Sequence, residues 1–189
     1  MKLSAVLLAG GKSRRMGRDK AAILFRDSPL WRHQLETLRK LEPKELLVSA
    51  QGDPPWRPAD VEFVADAQPS RGPLSGIAAA LSRTESEHLL ALAIDMPFMT
   101  DDYLRELFKQ SQPGCGVVPM FDNRAEPLSA IYPREATVDF TNALAGNNFS
   151  LQPLVEKLIA IGKLQPVQVS AKDRALFRNL NEPSDRDIN

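Results

Sequence analysis

The chain reads as a single α/β domain, residues 1–189, built on a doubly wound and mostly parallel sheet. Three observations predict it. Short apolar runs at Leu3–Ala9, Leu46–Val48, Val61–Ala65 and Leu89–Ile94 alternate with segments of helical periodicity. The run Leu89–Ile94 is apolar without interruption, as a strand covered on both faces is. No internal repeat, low-complexity tract or obvious linker divides the 189 residues, a length that suits one domain with a sizeable core.

Each element has a local reason. After Leu3–Ala9, Ser28-Pro29 makes a cap and first-turn pair for a helix whose apolar face is Leu35, Leu38 and Leu41. Between the next two strands, Asp53-Pro54-Pro55-Trp56-Arg57-Pro58 is too proline-rich for regular structure. Gly72-Pro73 opens an alanine-rich, closely packed helix from Leu74 to Arg83. Thr100, followed by Asp101 and Asp102, caps another helix through about Lys109. Val117–Phe121 and Leu128–Tyr132 read as strands, with Asp122-Asn123-Arg124 as the turn between them. Two helical patterns follow; Ser150 caps the second, whose core face is Leu151, Leu154, Val155, Leu158 and Ile159. Val167–Val169 is expected to be a short strand ahead of a polar tail.

Composition narrows the function. Lys plus Arg and Asp plus Glu number 24 each, so no net field draws the chain to nucleic acid or to a membrane. The single cysteine, Cys115, can form neither an internal disulfide nor a multi-cysteine metal site, and at a strand entry it is expected to be a buried, inert thiol. The chain runs directly into Leu3–Ala9 without the parts of a signal peptide, and no apolar run approaches the roughly 20 residues that span a bilayer. A soluble, cytoplasmic protein is expected.

Positive charge is concentrated instead in Leu8–Lys20, where Gly10-Gly11 ends the first strand and Lys12, Arg14, Arg15, Arg18 and Lys20 follow. Paired glycines allow a tight turn and close approach of backbone N–H groups to a ligand, and the cations after them point to a polyanion. Neither the Gly-x-x-x-x-Gly-Lys-Ser/Thr loop of P-loop NTPases nor the Gly-x-Gly-x-x-Gly of dinucleotide folds occurs here. A second feature is Asp95, at the exit of Leu89–Ile94 and before Met96-Pro97. A carboxylate there is well placed to hold a hard divalent cation such as Mg²⁺; a helix-capping or turn aspartate is the other reading. His33 and His88, one in a helix pattern and one at a strand entrance, do not read as a metal or catalytic pair.

The stretch Leu-Ala-Gly-Gly-x-Ser-x-Arg-Met-Gly-x-Asp-Lys at Leu8–Lys20 closely resembles the signature loop of the molybdenum cofactor guanylyltransferases, nucleotidyltransferases that attach GMP to molybdopterin. Many CTP-using relatives have Leu-Ala-Ala-Gly at this point, whereas Leu8-Ala9-Gly10-Gly11 with Asp19-Lys20 favours the guanylyl branch. Further resemblances lie at Asp66 followed by Gly72-Pro73-Leu74-Ser75-Gly76, at Asp95-Met96-Pro97, and at Asn179-Leu180-Asn181-Glu182-Pro183, which is similar to an Asn-x-Asn-x-Pro ending near the family's second-substrate pocket. From sequence alone a turn or cap role for that ending is equally credible.

The resemblance implies a Rossmann-like nucleotidyltransferase fold and a reaction in which GMP passes from GTP to the terminal phosphate of molybdopterin, releasing pyrophosphate. It implies Lys20, Arg15 and Asp95 as the catalytic residues, Asp95 as the Mg²⁺ ligand, and Leu8, Ala9, Gly10, Gly11, Lys20, Asp66 and Asp95 as the nucleotide site. Asp66 could accept the paired N–H groups of guanine, a contact the sequence does not assign. One departure stands out: where family members often have a nucleotide-contacting asparagine, this chain has Ser49, which lacks an amide's paired donor and acceptor. Implied partners are GTP, molybdopterin, and a cofactor-delivery protein or acceptor molybdoenzyme. The competing readings are a nucleotidyltransferase using CTP or a sugar phosphate, and a non-catalytic nucleotide-binding or adaptor protein that keeps the fold.

Overall fold

The computed structural model describes residues 1–10 and 20–180. In chain order the elements are β1 (Leu3–Leu8), a 3-10 turn at Lys20–Ala22, the hairpin β2 (Leu24–Phe25) and β3 (Ser28–Pro29), α1 (Leu30–Arg39), β4 (Leu46–Ala50), β5 (Glu62–Ala65), α2 (Pro73–Arg83) and β6 (His88–Ala93). Then come α3 (Asp101–Lys109), β7 (Gly116–Phe121), β8 (Arg124–Ala125), β9 (Ser129–Pro133), α4 (Thr137–Ala145), α5 (Leu151–Ala160) and β10 (Leu164–Gln168).

β1 lies inside the main sheet, with β6 parallel on one side and β4, then β5, parallel on the other. Its side chains alternate between two apolar layers, as strand geometry requires. Ala5 and Leu7 face Leu30, Leu35 and Leu38 of α1 and Leu104 and Leu107 of α3. Val6 and Leu8 face Leu74, Ile77 and Leu81 of α2, with Phe140 of α4 and Leu154, Val155 and Leu158 of α5 in the same layer. Both faces of the sheet are therefore covered, which is why Leu3–Leu8 and His88–Ala93 are buried at every position.

Beyond β6 the sheet changes character. β9 pairs antiparallel with β6 and with β7, and β10 pairs parallel with β7. The reversal follows from connection length: β7, β8 and β9 are joined by a few residues, too few for the crossover a parallel pair needs. Asp122, with φ +53°, makes the expected turn, but its immediate product is the two-residue strand β8 rather than β9.

Other expectations need adjustment. Leu30, not Pro29, begins α1; Pro29 occupies the flanking position with φ −57° and ψ 141°, and Ser28 belongs to β3 and makes no cap. Thr100 caps α3 as expected, its side chain accepting from Tyr103 N at 3.3 Å. Ser150 stands at the start of α5 without a side-chain capping bond. β10 begins three residues earlier than expected, at Leu164. Cys115 is half-buried rather than buried, and burial pushes its thiol up.

Candidate active site

Parallel strands deliver their carboxyl ends to one edge of a sheet, and here the pairing runs one rung past each strand. Ala9 N donates to Ser49 O at 2.9 Å, Asp66 N to Ala50 O at 2.9 Å, and Ile94 N to Leu8 O at 3.2 Å. These bonds hold Leu8, Ala9 and Gly10 in line with Ser49, Asp66 and Asp95, the kind of edge at which α/β sheets bind ligands.

Lys20 returns the chain to the same edge. Its Nζ lies 3.2 Å from Asp95 Oδ2, with the two side chains 29% and 23% exposed. Asp95 is fixed from several directions. Leu180 N donates to its carbonyl at 2.8 Å, Gln34 Nε2 donates to Ala93 O just before it at 3.0 Å, and Met96 after it is buried. Lys20 and the carboxylate just past β6, 75 residues apart in sequence, thus meet.

A second knot lies on the β4–β5 side. Asp66 is only 4% exposed and accepts from Ser49 Oγ at 2.7 Å. Two glycines make room for it. A Cβ on Gly10 would stand 2.8 Å from Asp66 Oδ2, and one on Gly76 would stand 2.9 Å from Ser49 Oγ and 3.3 Å from Asp66 Oδ1. The glycine at the first turn and the glycine in α2 are thus both there because the Asp66–Ser49 pair fills the space a methyl would need. Gly72, with φ +70°, and Pro73 start α2 as expected.

A separate cleft of 630 Å³ is lined by Pro73, Arg124, Glu126, Phe149, Gln152 and Asn179, among others. Burial pushes the Glu126 carboxyl above its usual range, and the charge of Asp95 adds to the effect against a hydrogen bond from Leu128 N and the charge of Arg124. Glu126 and Phe149 escaped the sequence reading: nothing in Arg124-Ala125-Glu126-Pro127 distinguishes a cleft carboxylate from a turn residue. Asn179 does reach this region.

His33 Nε2 donates to Pro97 O at 2.8 Å, and His88 Nε2 lies 3.1 and 3.2 Å from the carbonyls of Gln112 and Cys115, so the two histidines serve backbone carbonyls in separate places. Among the described residues no group of three or more His, Cys, Asp or Glu forms a ready metal cage. Gly11, Arg15 and Asp19, with the other cations between them, and Asn181-Glu182-Pro183 lie outside the described residues.

A family model described as a MobA-like NTP transferase domain matches residues 5–167. The chain belongs to that family. Curated relatives agree with it over nearly their whole length. A probable molybdenum cofactor guanylyltransferase of Opitutus terrae is 32% identical over 188 residues, covering 98% of this chain and 93% of the relative. A molybdenum cofactor guanylyltransferase of Syntrophotalea carbinolica is 32% identical over 185 residues, covering 96% and 88%. Among solved structures, molybdopterin-guanine dinucleotide biosynthesis protein A from Archaeoglobus fulgidus superposes with TM-score 0.78 at 24% identity over 97% of this chain and 94% of that one. A cytidylyltransferase from Thermus thermophilus does so with TM-score 0.67 at 15% identity over 96% and 94%, a likeness of fold. The fold is therefore shared with the cytidylyltransferase structure as well.

Proposed function

We propose that this MobA-like transferase moves GMP from GTP to the terminal phosphate of molybdopterin, forming the guanine dinucleotide cofactor and releasing pyrophosphate. The observation that carries the reading is the 3.2 Å contact between Lys20 and Asp95, which brings a cation to the strand exit. The names of the 32% identical relatives support the same substrates.

The chemistry follows from the groups present. A phosphate oxygen of molybdopterin attacks the α-phosphorus of GTP in line, a P–O bond forms, and the bond to the departing pyrophosphate breaks. That oxygen is already anionic near neutral pH, so no strong general base is needed. The two histidines, each engaged with backbone carbonyls, agree with this. Rate enhancement rests on alignment and on offsetting charge at the α-phosphoryl group and the leaving pyrophosphate. Lys20, with Arg15, supplies that positive charge; Gly10 and Gly11 let the turn approach the nucleotide; Asp66 holds it at the β5 exit.

The site also fits a divalent metal. Asp95 is partly exposed, Glu126 feels its charge, and a hard cation such as Mg²⁺ is commonly held by one or two carboxylates with substrate phosphates completing its shell. Asp95 would hold it, and the ion would supply further neutralisation of phosphate oxygens. Among the described residues no helix is long and apolar enough to cross a membrane, and the proposed setting is the cytoplasm, with a cofactor-delivery protein or acceptor molybdoenzyme as a further partner.

Pyrophosphate release measured with molybdopterin and each of the four nucleoside triphosphates tests the reading. Turnover with GTP at least tenfold above the others is expected. A preference for CTP overturns it, and so does GTP binding without turnover.

A further inference from the structure

We infer that Ser49 is a positioning residue for base selection, holding the Asp66 carboxylate so that it accepts the adjacent N–H donors of a guanine edge. This rests on the GTP reading above and concerns what distinguishes GTP from other nucleotides at the same site.

Three observations bear on it. Ser49 is 1% exposed, and its hydroxyl has one proton, which goes to Asp66 Oδ1 at 2.7 Å. That proton is not available to a ligand, and the Gly76 Cα packs so closely that a Cβ there would lie 2.9 Å from Ser49 Oγ. Ser49 thus has no proton left to donate to a nucleotide, and at this burial its effect on one is exerted through Asp66. The other carboxylate oxygen, Oδ2, lies against Gly10, where the basic segment begins, with Ser70 Oγ at 3.4 Å. Hydrogen bonded on Oδ1 and crowded by two glycines, the carboxylate has one orientation.

A carboxylate so held only accepts hydrogen bonds. Guanine offers it a ring N1–H and an exocyclic amine side by side. Adenine and cytosine present a ring-nitrogen acceptor beside their amine, which faces the carboxylate with repulsion, and hypoxanthine keeps the ring N–H but lacks the amine. Two side chains would thus act in series, the carboxylate meeting the base and the serine fixing the carboxylate.

Steady-state kinetics with GTP and ITP, in the presence of molybdopterin, test this in wild type, Ser49→Ala and Ser49→Cys, with a thermal melt on each. Wild type is expected to prefer GTP over ITP by about tenfold in kcat/KM, the scale of a lost charged hydrogen bond. Ser49→Ala is expected to raise KM for GTP by about tenfold with kcat within about twofold, and to lower the GTP/ITP ratio several-fold. A purely structural brace would scale both nucleotides equally; an unchanged ratio therefore overturns the inference, as does a wild type that uses the two alike. Should Ser49→Ala fail to fold, Ser49→Cys decides, being close in size with a weaker donor: a lowered ratio sustains the inference and an unchanged one overturns it. Failure of the functional reading is separate, because it shows in wild type as no transfer from GTP.

Discussion

Two regions of the molecule handle carboxylates in opposite ways. At the corner of α4, α5 and β10, Asp139 is gripped by Lys163 at 2.6 Å and Lys157 at 2.9 Å. Burial raises this carboxyl, but the hydrogen bonds and charges of the two lysines outweigh it and hold Asp139 below its usual range. At the carboxyl edge of the sheet, Asp95 meets Lys20 at the longer distance of 3.2 Å, and Glu126 nearby is pushed up by burial and by Asp95 itself. The corner has its charges matched within the protein and contributes stability. The edge carries two carboxylates close together, an arrangement that a cation or a donor-rich ligand relieves. Clustered carboxylates of this kind are where a ligand-binding edge is expected, whereas the corner is a structural ion pair.

The contrast can be broken most forcefully at the edge. Asp95→Ala and Lys20→Ala are each expected to lower turnover by about 100- to 1000-fold, the scale of removing one transition-state charge contact. Melting temperatures should stay within a few degrees, because the pair is partly exposed and such pairs add little to stability. Turnover assays beside thermal melts check both, and near-normal turnover in either variant contradicts the assignment. Gly10→Ala comes next. Its methyl would enter within 2.8 Å of Asp66 Oδ2, so KM for GTP should rise tenfold or more; an unchanged KM means the turn does not carry the nucleotide.

At the corner, Asp139→Asn should leave kinetics intact and cost about 1–2 kcal/mol, seen as a Tm lower by roughly 3–6 °C. The pH dependence has a definite sign. The folded carboxyl lies below its unfolded value, so its stabilisation is present above the ordinary carboxylate range and is lost as pH falls through the depressed folded value. Melts from pH 7 down to pH 3 should therefore decline less steeply in Asp139→Asn than in wild type. The smallest effect has the opposite sign. Glu126 is raised in the folded state, so its charge opposes folding once the pH exceeds that raised value. Glu126→Gln should accordingly increase Tm at pH 8 by about 2 °C. A decrease would mean that this carboxyl is balanced like Asp139 and that the comparison fails.

The sequence exposed some of this and hid the rest for physical reasons. Strands buried on both faces announce themselves as unbroken apolar runs, so β1 and β6 were readable, as was Asp95 at the exit of one of them. Gly72-Pro73 and Thr100 act within a turn of their own helices, and local chemistry suffices for them. The two-residue strands β2, β3 and β8 carry too little periodicity to register. The Ser49–Asp66 bond spans 17 residues and the Lys20–Asp95 contact 75, and both exist only because parallel pairing brings the strand ends together. Ser49 alone read as a departure from a familiar pattern; in the fold its hydroxyl donates to Asp66. Glu126 gave no signal because its burial comes from elements distant in sequence.

The central claim is that Lys20 and Asp95 act on one bound triphosphate. A double-mutant cycle on single-turnover GMP transfer from GTP to molybdopterin tests it most directly, using Lys20→Ala, Asp95→Ala and the combined variant. If both residues serve one transition state, the combined variant should be about as slow as the slower single variant, with a coupling of at least about 1 kcal/mol. Losses that simply multiply would show two independent sites and contradict the account.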